Sequence, residues 1–199
     1  MPRLSLTDFV DVVSARGTPK ATRVRQIKRR PAYSPALDYW KGARDAIVAT
    51  HKADEGKREL TAQFNASLDP RKAQNYGAVL SGYKRWWGRK SVSWFRPPAD
   101  TYAQHGVEIG VNPELGLRVN GRPHVVKLYF KADRLAKNRV DIITHLMELA
   151  LRGEAPEGAV MSVLEVRQGR LISPTVPVAA LTPALNAELA YVAALWEEI

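Results

Sequence analysis

Two runs of basic residues hold the side-chain types best suited to a polyanion. The first comprises Lys20, Arg23, Arg25, Lys28, Arg29 and Arg30. The second comprises Lys84, Arg85, Arg89 and Lys90, interleaved with Tyr83, Trp86 and Trp87 and followed by Trp94, Phe95 and Arg96. Guanidinium and ammonium groups make charge-assisted hydrogen bonds to phosphate. Aromatic faces add stacking worth about 1–3 kcal/mol per base. Each phosphate neutralised steepens the fall of log K with log salt by about 0.9. The plainer use of the same residues is a solvated basic face over a packed stripe. On a helix, Tyr83 and one of Trp86 or Trp87 continue an apolar row that belongs in a core, which leaves the rings packed and the cations wet.

Charge is unevenly divided along the 199 residues. Residues 1–100 carry 20 Lys/Arg and 9 Asp/Glu, residues 101–150 carry 7 and 5, and residues 151–199 carry 3 and 6. The net +10 therefore belongs to the first half. Such asymmetry implies association with a polyanion rather than any particular fold. The composition, 45% hydrophobic and 25% charged, is that of a folded globular chain. No run approaches the roughly 18 apolar residues of a membrane span. Asp8 and Asp11 interrupt the N-terminus where a signal peptide would be apolar. Cysteine is absent, which removes disulfides, thiolate nucleophiles and zinc-thiolate sites. A cytoplasmic protein with no membrane partner is the simplest expectation.

The elements that must position these cations follow from periodicity. Thr7 to Arg16 predicts a helix closed by Gly17, and Thr18-Pro19 predicts the cap and first turn of a second helix, Lys20 to Arg30. Between Asp11 and Asp38 lie seven basic residues and no acid. This pair has the outline of a helix-turn-helix, in which the second helix meets the major groove. Leu37, Trp40, Ala43, Ile47 and Val48 predict a helix from Ser34 to His51. A polar helix is expected from Glu55 to Leu68, and another from Asp69-Pro70 to Gly88. Beyond Pro97-Pro98 the period becomes that of strands. Tyr102–Val111 and Leu115–Val119 read as extended, Asn120-Gly121 as a hairpin turn, and His124–Phe130 as the returning strand. In that strand Val126, Leu128 and Phe130 share one face and Lys127, Tyr129 and Lys131 the other, either an anion site or the polar side of a half-buried sheet. Leu135–Arg152 predicts a buried helix, Val160–Val166 and Leu171–Ile172 a second hairpin, and Thr182-Pro183 the start of a last helix.

The resulting order is a helical half followed by β-β-β-α-β-β-α, an α+β protein in which a helical N-terminal half packs on a mixed or antiparallel sheet. The boundary falls at Pro97-Pro98, giving a basic helical region over 1–98 and a sheet-and-helix region over 99–199. The strand order over residues 100–172 is similar to the core of the restriction-endonuclease-like nucleases. That resemblance implies an acid on the second strand and a Glu/Asp-x-Lys on the third, binding a divalent metal that activates water. Glu114 stands for the acid and Lys127 for the lysine. Val125 occupies the place of the second carboxylate, and Glu108 is the substitute a neighbouring strand offers. Glu165-Val166-Arg167 has a similar look but follows the helix.

His51, His105, His124 and His145 show no metal-ligand spacing, and His145 reads as a hydrogen-bonded core residue. No metal site and no cofactor is expected, with Mg²⁺ entering only under the nuclease reading. The leading expectation is non-catalytic binding of nucleic acid by residues 20–30 and 84–90. The alternatives are a metal-dependent nuclease using Glu114 and Lys127, and an interaction protein for an acidic protein partner.

Overall fold

A computed structural model describes residues 1–31, 38–66, 69–174 and 178–199. The chain is α+β, with two sheets and seven α-helices among the described residues. A short strand β1 (Arg3–Ser5) leads into α1 (Leu6–Ser14) and α2 (Gly17–Lys28). Three helices follow, α3 (Lys41–Lys52), α4 (Lys57–Ala66) and α5 (Ala73–Trp87), the last preceded by a 3-10 turn at Pro70–Lys72. Strands β2 (Val92–Phe95), β3 (Asp100–Gln104), β4 (Val107–Val111), β5 (Leu115–Val119) and β6 (Arg122–Tyr129) come next. Helix α6 (Lys137–Leu151), strands β7 (Val160–Glu165) and β8 (Arg170–Ile172), a 3-10 turn and α7 (Thr182–Glu198) complete the chain.

The larger sheet has the order β2-β5-β6-β7-β8; α6 is the crossover that lets β6 and β7 run parallel, and the other neighbours are antiparallel. The smaller sheet has the order β1-β4-β3. Strand pairing thus spans residue 98, since β1 lies beside β4 and β2 beside β5. Alternation along β6 assigns its two faces to two cores. Val125 and Tyr129 join a core formed with α1, α2, α6, α7 and the smaller sheet. Val126, Leu128 and Phe130 join a core formed with α3, α4 and α5. The five-stranded sheet is the partition between them.

Local chemistry explains most boundaries. Ser5 Oγ accepts the Asp8 N–H at 3.1 Å while Asp8 Oδ2 accepts the Ser5 N–H at 3.0 Å, a capping box that starts α1. Asn120 and Gly121 both have positive φ, at +50° and +85°, as a two-residue hairpin between β5 and β6 requires.

Several expectations are corrected. Thr18 does not cap α2, which starts at Gly17, with Arg16 as the N-cap residue and no side-chain cap. The helix expected from Ser34 begins at Lys41, because the apolar face runs ahead of the hydrogen-bonded turns; residues 34–37 lie outside the described residues. The helix expected over Glu55 to Leu68 begins at Lys57 and is described to Ala66; residues 67–68 lie outside the described residues. Tyr102–Val111 is not one strand but a hairpin, with His105 at φ +51° and Gly106 at φ +71°. Histidine can adopt that region, but His-Gly is not among the dipeptides that mark a two-residue hairpin as Asn-Gly does, so the turn goes unannounced. Strands β1 and β2 were not expected at all; three and four residues are too short to show a period.

Candidate functional site

The second basic run sits at the C-terminal end of α5. At 100° per residue, Tyr83, Trp86 and Trp87 all turn inward and are buried, so Lys84, Arg85 and Arg89 face outward or sideways. Trp94 and Phe95 are half-buried on β2. The helix can lie here only because two glycines let backbones touch. A Cβ on Gly82 would stand 2.1 Å from the Val166 carbonyl oxygen, and one on Gly169 would stand 2.7 Å from the Gly82 carbonyl oxygen. The turn between β7 and β8 is thereby pressed against α5. Arg85 then donates to the Arg167 carbonyl oxygen at 2.9 Å.

Four of the five cations here are held by neutral oxygens. Lys90 Nζ donates to the Trp86 carbonyl oxygen and lies 5.7 Å from the Trp86 ring centre. Lys57, at the start of α4, donates to the Gly88 carbonyl oxygen and lies 5.4 Å from the Trp87 ring centre. Lys84 Nζ donates to Thr61 Oγ1 at 3.2 Å. Arg89 is exposed and has no side-chain partner among the described residues. The last carbonyls of a helix lack intrahelical donors and carry its negative dipole end, so they draw cations. No ion pair joins any of these five side chains to a carboxylate among the described residues. Glu55 and Glu59, the acids nearest in sequence, accept instead from Gln63 Nε2 at 2.8 Å and the Gly56 N–H at 3.2 Å. A carbonyl fixes a cation without pairing it to a carboxylate, so the side chains bonded at the end of α5 are held in place with their charge retained.

The first run is differently situated. It lies in α2 and just beyond, in the layer on the other side of the larger sheet. Lys20 pairs with Glu188 of α7, and Lys28 donates to the Trp196 and Ile199 carbonyl oxygens at the end of α7. Arg30 grips Asp8 through two bonds, 2.8 and 2.9 Å. Burial raises the Asp8 carboxyl, but Arg30 and Ser5 together outweigh it and hold the group below its ordinary range. Arg23 donates to Gln26 Oε1 at 3.0 Å. Arg25 and Arg29 are exposed and have no side-chain partner among the described residues. The two runs therefore do not converge on one concave face. They occupy opposite layers.

Of the residues singled out by the nuclease resemblance, Glu114 and Lys127 meet and Glu108 does not join them. Lys127 Nζ is bonded to Glu114 Oε1 and, at 2.9 Å, to Thr7 Oγ1 of α1. Glu114 Oε2 accepts the Leu128 N–H at 2.8 Å. Lys127 is only 4% exposed. This corrects the expectation that the Lys127, Tyr129, Lys131 face is either open or merely wetted: α1 covers it, and Lys131 pairs with Asp11 at 2.5 Å. Both oxygens of Glu114 are thus occupied. Glu108 is elsewhere, on β4 in the smaller sheet, paired with Arg3 at 2.8 Å. Glu165 is fully buried and accepts from the Leu135 N–H at 2.6 Å and from Arg170 at 3.0 Å. Among the described residues no three His, Asp or Glu side chains come together as a metal would need.

Three of the four histidines are buried, each with one side-chain hydrogen-bond partner, and His105 is exposed in the β3–β4 turn. His51 Nε2 lies 2.6 Å from the Tyr83 hydroxyl, His124 Nδ1 3.1 Å from Ser162 Oγ, and His145 Nε2 3.2 Å from Thr182 Oγ1. Burial lowers all three, His51 to about 4. Lys57 was missed as a member of the α5 cluster because its helix read as uniformly polar. Nothing in a linear pattern links it to Gly88, thirty-one residues away.

No protein-family model matches this chain, and no curated protein sequence matches it. Among the described residues no helix is long and apolar enough to cross a membrane.

Proposed function

We propose that this chain binds nucleic acid without acting on it, holding the phosphate backbone at the C-terminal end of α5. Lys57, Lys84, Arg85, Arg89 and Lys90 are the contacts, with Arg25 and Arg29 on the opposite layer contributing at most a weaker, separate surface. The observation that carries this reading is the chemistry of the partners. The α5 cations are seated on carbonyl and hydroxyl oxygens and keep their charge, whereas Lys20 and Arg30 give theirs to carboxylates. Because Tyr83, Trp86 and Trp87 are buried, binding there runs through phosphate and is largely sequence-independent. Fluorescence-anisotropy titration of duplex and single strands at several salt concentrations is the test. Affinity should fall steeply with salt, with a slope of about −0.9 per phosphate on duplex. A flat response, or no binding at low salt, removes the reading; capture of an acidic protein that nucleic acid does not displace would favour the interaction-protein alternative.

A metal-dependent nuclease is the second reading, favoured by the contact between Glu114 and Lys127. Against it, both Glu114 oxygens are already bonded and position 125 is a buried valine. It predicts Mg²⁺- or Mn²⁺-dependent cleavage that Glu114→Gln abolishes, whereas the leading reading predicts bound, intact strands.

A further inference from the structure

We infer that the free edge of β3 pairs antiparallel with the same strand of a second copy of this chain. Among the described residues the larger sheet ends on β2 and β8 and the smaller on β1 and β3. Of these four edges β1 and β8 are three residues long and β2 is four; β3, with five, is the longest. Unpaired strand edges recruit other strands unless Lys, Pro or a bulge blocks them. The β3 sequence Asp-Thr-Tyr-Ala-Gln contains no Lys and no Pro, and its register against β4 is unbroken from Asp100 to Gln104. Asp100, Thr101, Ala103 and Gln104 are exposed, and Tyr102 at the centre is half-buried.

Two features favour a second copy as the occupant. A register centred on Tyr102 sets Tyr102 opposite Tyr102, Thr101 opposite Ala103 and Asp100 opposite Gln104. No like charges meet, and an aromatic pair lies on the two-fold axis, as an isologous contact requires. Electrostatics points the same way. Two chains of net +10 repel through their basic halves. Residues 97–117 hold Asp100, Glu108 and Glu114 but no Lys or Arg, so the β3 edge brings two copies together without opposing cations. In this register Asp100 faces Gln104 rather than a second Asp100, and Glu108 is paired with Arg3, so the acids of the two copies are not set against each other. Paired copies would present two α5 surfaces to one polyanion, although the pairing does not depend on that activity.

The test is sedimentation velocity over a dilution series, at low and high salt, with the full chain and the double variant Thr101→Lys/Ala103→Lys. Wild type is expected to dimerise, more tightly at high salt because screening relieves the repulsion. The variant sets lysines opposite each other across the axis and should dissociate about tenfold more readily or worse. Its circular dichroism should be unchanged, since Thr101 and Ala103 are both exposed and a lysine at either position can extend into solvent. If the double variant unfolds, Ala103→Lys alone is measured against wild type in the same way. A monomeric wild type throughout the series, or a folded variant with undiminished association, overturns the inference.

Discussion

Two ends of this molecule handle positive charge in opposite ways. Where α1 covers β6, each cation meets a carboxylate: Lys127 with Glu114, Lys131 with Asp11, and Arg30 with Asp8. At the end of α5, Lys57, Lys90 and Arg85 meet backbone carbonyls and Lys84 meets a hydroxyl. The first arrangement cancels charge and glues elements together. The second fixes side chains in place without pairing them to carboxylates. Counting basic residues cannot separate the two cases; the identity of the acceptor atom does.

The largest effect should come from breaking the paired end on one side. Lys127→Met strands Glu114, whose side chain is 10% exposed, and should cost about 3–5 kcal/mol in urea unfolding. Adding Glu114→Gln should recover much of that loss, because no uncompensated charge then stays buried. Lys84→Met at the other end should cost no more than about 1 kcal/mol, its hydrogen bond being to a neutral hydroxyl. Equal losses at Lys127 and Lys84 would erase the distinction between the ends.

Acid should weaken the fold through the histidine beneath α5. His51 titrates near 4 in the folded protein against 6.5 for an ordinary imidazole, chiefly because burial disfavours its charged form. Its folded value is depressed, so between those two values the unfolded chain binds a proton that the native protein refuses. Stability is therefore full above about pH 6.5 and falls as pH drops towards 4, by roughly 3 kcal/mol in all. His51→Gln should flatten that part of a stability–pH curve measured by urea unfolding. A curve of unchanged steepness contradicts the assignment.

A smaller effect is expected where α5 meets the β7–β8 turn. Gly82→Ala forces a methyl to within 2.1 Å of the Val166 carbonyl oxygen, so the helix must shift. Overpacking of this kind costs typically 1–3 kcal/mol, readable as a lowered Tm. It should also weaken nucleic-acid binding, because Arg85 and its seat on Arg167 move apart. Gly77→Ala on the same helix faces open space and should leave binding unchanged, while helix propensity raises stability by about 0.5–1 kcal/mol.

Much of this architecture was legible in the residues. The apolar spacing of α5, the Asn120-Gly121 turn and the two-faced pattern of β6 each have one dominant physical cause, and each is found where that cause predicts. Burial of Tyr83 and of one of Trp86 or Trp87 followed from the same spacing; burial of both tryptophans did not. What could not be read was which acid or carbonyl each cation would find. Lys20 and Glu188 are 168 residues apart, as are Lys28 and Trp196. Glu114 and Lys127 were singled out only through the nuclease resemblance, as a metal acid and a lysine; that they bond each other, with α1 and Thr7 closing over them, was not legible. The sequence likewise holds no sign that its two basic runs fall on opposite layers, since that depends on which face of the partition each helix covers.

The most direct test compares two charge reversals in one binding assay: Arg85→Glu/Arg89→Glu at the end of α5, and Arg30→Glu/Lys131→Glu at the paired end. Both remove two cations and change net charge equally, so their nucleic-acid affinities and salt slopes should differ only if location matters. The α5 pair is predicted to lose affinity and to flatten the slope by about 0.9 per lost phosphate contact, while the second pair, once shown to be folded, binds nearly as wild type. Equal losses from both would show that overall charge alone drives binding and would contradict an α5 site.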